Sequence, residues 1–61
     1  MKRLSVDRDC KNGSCPAVWA DTDDPGHLTI VGVPAPDAEG VGPGEIAIRI
    51  KRQVITDANI A

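Results

Sequence analysis

Hydrophobic positions alternate most cleanly near the C-terminal end, where Ile46, Ile48 and Ile50 are separated by Ala47 and Arg49 and flanked by Glu45 and Lys51. That period of two predicts a half-buried strand over residues 45–51, with its isoleucines on one face. His27-Leu28-Thr29-Ile30-Val31-Gly32-Val33 is a β-branched run bounded by turn residues and predicts a second strand. Pro16-Ala17-Val18-Trp19-Ala20 predicts a third, entered from Asn12-Gly13. In residues 1–9, Leu4 and Val6 alternate within a charged segment that either adds a short strand or stays mobile. Beyond Arg52 the period lengthens, because Val54/Ala58 and Ile55/Asn59 are i,i+4 pairs. They predict a short helix closing one end of the sheet.

The intervening segments read as turns. Asp21-Thr22-Asp23-Asp24-Pro25-Gly26 has turn chemistry, and residues 34–44 hold three prolines and three glycines. The resulting fold class is mainly β, one small domain over residues 1–61 with three to four strands and a short C-terminal helix. The strands form a small antiparallel sheet or an open barrel of SH3-like size.

Asn12-Gly13 is the strongest local signal for a tight hairpin, since a type I′ turn needs positive φ at both central residues. With these residues at the tip, Cys10 faces Cys15, Val6 faces Trp19 and Arg8 faces Ala17. The cysteines then occupy a close, non-hydrogen-bonded pair with Cα atoms about 4.5 Å apart. Pro16 lacks the N–H this ladder needs, so a bulge or an edge is expected there.

Size limits the core. In 61 residues, 15 positions are large and apolar, so few can be spared from burial, and a staple, a second copy or a partner would help. Two cysteines are too few for the disulfide framework of a secreted mini-domain. Asp7, Arg8 and Asp9 interrupt any apolar leader after Met1-Lys2-Arg3, and no run is long enough for a membrane span. The compartment these features predict is the cytoplasm, where two reduced thiols are the expectation. A net charge of −2 and a single aromatic residue, Trp19, argue against nucleic-acid binding.

Candidate chemistry is sparse. A zinc site built on Cys10 and Cys15 would need His27 plus a carboxylate, or two chains. A disulfide between them, structural or redox-responsive, is favoured by the pairing and opposed by the compartment. Asp21, Asp23 and Gly26 fit positions 1, 3 and 6 of a calcium loop, but Pro25 and Gly32 stand where oxygen ligands belong. His27 has no nucleophile beside it in a recognisable motif, and Gly40-Val41-Gly42-Pro43-Gly44 lacks the lysine and helix of a phosphate cradle. No catalytic residue, metal ligand or cofactor is assigned, and the chain is expected not to be an enzyme. Arg49, Lys51 and Arg52 make a local basic cluster of the kind that protects strand edges.

The candidate partner-binding residues are Trp19, Val31, Val33 and Arg49. If Leu28 and Ile30 cover the isoleucine face, Val31 and Val33 point the other way, with little left in the chain to cover them. The residues 34–44 are the one segment available to fold back over them. An uncovered strip beside Trp19 predicts a homodimer, or a protomer awaiting a partner.

Gly13-Ser14-Cys15-Pro16-Ala17-Val18, Asp24-Pro25-Gly26 and Gly42-Pro43-Gly44-Glu45 leading into the 46–50 strand occur in a suggestive order. Over residues 13–56 the chain resembles a group of very small actinobacterial proteins that accompany helix-turn-helix regulators. The resemblance implies an accessory, protein-binding role beside a transcription regulator. The alternative is a metal- or redox-responsive module built on Cys10 and Cys15.

Overall fold

The computed structural model describes residues 1–11 and 13–60. In chain order it contains β1 (Lys2–Val6), β2 (Ala17–Ala20), β3 (Leu28–Val31), β4 (Val33–Pro34), β5 (Ile48–Arg49) and α1 (Arg52–Ala58). Strands β1, β2 and β3 form an antiparallel sheet in that order, while β4 and β5 form a separate two-stranded ribbon. The fold is mainly β with a short C-terminal helix, and the sheets do not close into a barrel.

Residues 2–6 pair as a strand, but two residues out of the expected register. Val6 lies opposite Ala17 and Arg3 opposite Trp19, with the register shifting between Arg3 and Ser5. Asp7 and Pro16 explain the difference. The Asp7 N–H donates to the Pro16 carbonyl at 2.9 Å, so Pro16 supplies only the acceptor it has. Asp7 then starts a turn of its own: its Oδ1 accepts from the Asp9 N–H at 3.0 Å, and its carbonyl accepts from the Cys10 N–H at 3.2 Å. The hairpin therefore opens into a loop over residues 7–16. The Asn12-Gly13 turn type falls on Asn12, outside the described residues.

The irregularity between Arg3 and Ser5 brings two successive side chains to the helix. Leu4 packs against the cluster of Val18, Val54 and Ala58, joined there by Ile50 and Ile55. Ser5 is buried, and its hydroxyl donates to the Val54 carbonyl at 2.6 Å. Val18 and Val54 are 0 % exposed, which places the centre of the core between β2 and α1. Each such side chain contributes about 1.5–3 kcal/mol by leaving water.

The 27–33 run forms two strands rather than one. Gly32 separates β3 from β4, and a Cβ there would lie 2.8 Å from the Arg49 carbonyl oxygen and 3.2 Å from Ile48 Cδ1. The ribbon continues for one more bond, from the Ala35 N–H to the Ala47 carbonyl at 2.9 Å. Residue 38 then bonds back to 35, so the partner of β5 ends there. This corrects the seven-residue strand expected at 45–51. Ile46 is 86 % exposed, and Glu45 donates instead to the Gly42 carbonyl in a turn.

Candidate functional site

The loop at 7–9 supplies counter-charges to both ends of a helix that its own sequence does not stabilise. Helix α1 has no acidic residue in its first turn, no basic residue in its last, and no side-chain cap at Lys51. Lys51 at its start and Asp57 near its end carry the signs the helix dipole disfavours. The Lys51 ammonium donates to Asp7 at 3.2 Å and to Asp9 at 3.0 Å. Arg8 meets Asp57 through Nε at 2.9 Å and through a terminal nitrogen at 2.6 Å, a bidentate pair. Gln53 bridges Asp57 and the Val6 carbonyl, at 2.6 and 3.1 Å.

The charges respond accordingly. The Asp9 N–H, helped by Lys51, holds Asp7 below the usual carboxylate range although burial opposes it. Arg8 and Gln53 do the same for Asp57. Lys51 is raised by its bonds to Asp9 and Asp7, and Arg8 by Asp57.

Farther round the same loop, Cys10 and Cys15 are joined in a disulfide, with Cα atoms 5.7 Å apart. This corrects the expectation of two reduced thiols. It also replaces the tight-turn spacing with one near the middle of the disulfide range. The wider loop that Asp7 opens lets the two residues sit farther apart than a directly opposed pair. With both sulfurs bonded to each other, a site requiring their thiolates is not assembled. His27 stands apart, its Nδ1 3.0 Å from Asp24 Oδ1 at an exposed turn. Asp21 accepts from the Asp23 N–H at 2.9 Å, and its carbonyl accepts from the Asp24 N–H, so the acidic segment bonds within its own turn. Among the described residues, no three His, Cys, Asp or Glu side chains gather as a metal site.

Of the four predicted partner-binding residues, Trp19 and Val31 share the face of the three-stranded sheet turned away from α1, and Val33 and Arg49 share one face of the ribbon. Trp19 pairs with Thr29, Ala17 with Val31, and Val33 with Arg49. Val18 opposes Ile30 on the other face, against the helix. Trp19 is half-buried, with the Arg3 guanidinium 6.0 Å from its ring centroid, at the outer limit of a cation–π contact. Val31 is 45 % exposed and Val33 60 %, so residues 34–44 do not cover them. Arg49 approaches Asp37 at 3.8 Å, both side chains lying largely in solvent. Val33 and Arg49 also line a shallow depression of about 460 Å³ with Asp7, Pro16, Ile50 and Lys51.

Sequence reasoning missed Asp7, Arg8, Ser5 and Gln53. The alternating Asp7-Arg8-Asp9 was the available signal, since it presents opposite charges to the two ends of a short helix. Among the described residues no helix is long and apolar enough to cross a membrane. No family model, curated protein or solved structure matches the chain.

Proposed function

We propose that the chain is a small non-catalytic binding module that docks on another protein through the face carrying Trp19, Val31, Val33 and Arg49. The observation that carries this reading is the exposure of Val31 and Val33, at 45 % and 60 %, on consecutive strands. Such β-branched side chains gain little from folding while they face water, and gain much when a surface covers them. The resemblance over residues 13–56 supports a transcription regulator of the helix-turn-helix class as the partner, and the cytoplasm is the compartment in which the pair would meet. Calorimetric titration against the purified helix-turn-helix regulator encoded nearest the chain's own gene tests this. Saturable binding that is lost in Val31→Asp, with the circular dichroism of that variant unchanged, is the expected result. No heat and no co-sedimentation would remove the regulator as partner.

A second reading draws on the Cys10–Cys15 disulfide. In a reducing compartment such a bond would report redox state, because Cys10 adjoins the Asp7-Arg8-Asp9 turn that supplies the counter-charges of α1 and donates its N–H to the Asp7 carbonyl. Equilibration in glutathione buffers, read by thiol counting, tests it. A bond that opens within the cytosolic range of potentials favours the redox module, whereas one that stays closed throughout makes it a structural staple.

A further inference from the structure

The two edges of the three-stranded sheet are built differently. On β1 the edge is charged at Lys2 and Arg3 and irregular between Arg3 and Ser5, two devices that discourage further pairing. On β3 the pairing with β2 runs without a shift, and Leu28, Thr29, Ile30 and Val31 include no charge and no proline.

The hydrogen-bond alternation fixes which groups that edge presents. Asp7 donates to Pro16, so Val18, two residues on, also turns its main-chain groups toward β1. Ala17 and Trp19 consequently face β3, where they meet Val31 and Thr29. Leu28 and Ile30 are left with N–H and C=O pointing out of the sheet. Gly32 continues the series, because Val33 and Ala35 turn their own groups toward β5.

The molecule as a whole is open. The chain exposes 4928 Å², whereas a compact monomer of 6.4 kDa exposes about 3,800 Å². The exposed apolar side chains include Leu28, Ile30 and Val31 of the β3 edge strand. The radius of gyration, 12.3 Å, is likewise above the ~10.5 Å of a compact chain this long.

We propose that the β3 edge pairs antiparallel with the same edge of a second copy, with Ile30 on the two-fold axis. This rests on the reading of the chain as a binding module and names one occupant of its exposed strand. In this register Ile30 bonds Ile30 of the second copy, and Leu28 bonds Gly32 of the second copy in both directions. The large Leu28 side chain lies beside a residue with none, and Thr29 lies beside Val31. Residues 28–35 carry no charge, so no like charges meet along the seam. The contact is isologous and closes on itself, which a strand edge open to any partner does not.

Chemical synthesis of the 61-residue chain allows one atom to test the pairing. The unmodified protein is expected to sediment as a dimer at micromolar to submillimolar concentration. N-methylation at Ile30 removes an outward N–H and no bond within the protomer, so the variant is expected to be a monomer with unchanged circular dichroism. In the unmodified protein, amide exchange at Leu28, Ile30 and Gly32 is expected to slow as concentration rises, while Thr29 and Val31 hold constant. Ile30→Lys provides a second monomerising variant should the methylated chain fail to fold. A monomer throughout the concentration range overturns the proposal, as does a dimer indifferent to both variants. Regulator binding by a persistent monomer would sink self-pairing alone. A dimer lost on N-methylation, with a silent regulator titration, would sustain self-pairing and reject the regulator as partner.

Discussion

The β1–β2–α1 end and the β4–β5 ribbon with its flanking turns both carry branched aliphatic side chains, but only the first encloses them fully. Val18 and Val54 are wholly enclosed, whereas Val33 and Ile46 stand in water and Ile48 is half-buried. Propensity does not separate the two regions. The polar connections do. Around α1, bonds join residues far apart in sequence: Ser5 to Val54, Gln53 to Val6, and Arg8 to Asp57. Beyond the β4–β5 ladder itself, the bonds of the second region join near neighbours, such as Ala38 to Ala35 and Glu45 to Gly42. A local bond shapes a turn without bringing a second apolar layer over it. In a chain this small, burial follows the long-range ties.

The sharpest way to break that contrast is to truncate one valine on each side. Val54→Ala is expected to cost on the order of 2 kcal/mol through lost burial and a residual cavity. Val33→Ala should stay within about 0.5 kcal/mol in the monomer. Urea unfolding followed by Trp19 fluorescence measures both, and equal costs would end the distinction between the regions.

Opening the Cys10–Cys15 disulfide is expected to cost about 2 kcal/mol, the chain-entropy value for so short a loop. Because the bond abuts the 7–9 turn whose charges face α1, amide exchange should accelerate first in α1 and β1. The β4–β5 ribbon should be unaffected at first. Exchange that accelerates uniformly would show that the loop does not act through the helix.

Acid gives the smallest effect. Asp7 and Asp57 are held below the ordinary carboxylate value of 3.8, so their contribution is complete above it and is lost as pH falls through their lowered values. Lys51 has the opposite sign: raised above 10.5, it contributes fully below that value and less as pH climbs through its raised one. The urea midpoint at about pH 3 should lie below that at about pH 6. Asp57→Asn should narrow the gap, and a midpoint unmoved by acid would remove these pairs from the account.

The parts of this architecture legible in the sequence are those with a local cause. The β-branched run at 28–33, the i,i+4 pairs after Arg52, and the outward exposure of Val31 and Val33 follow from side-chain period. Register does not follow, because the Asn12-Gly13 signal takes no account of the Asp7 carboxylate, which starts its own turn five residues earlier. The 45–51 strand overran because alternation describes a strand's faces and says nothing of its neighbour's length. Its neighbour β4 is bounded by Gly32 and the turn after Ala35. The cysteine count and the charges at Asp7, Arg8 and Asp9 predict reduced thiols, whereas the structure joins them, as the pairing of Cys10 with Cys15 allows. The charged clasp on α1 is only half legible, because Asp7-Arg8-Asp9 shows the charges and not their partners. Arg8 and Asp57 lie 49 residues apart, and nothing in a single sequence marks them as a pair.

Gly32 has a consequence for how freely the sequence can vary. It is only partly buried, and its φ does not demand glycine, yet a methyl group there would collide with the Arg49 main chain. In a library sampling all amino acids at each site, Gly32 should be as intolerant as Val18, while Val31 and Val33 beside it accept many replacements when folding alone is selected. A tolerance map would thus mark the joint between the sheets as a single forbidden column among permissive ones.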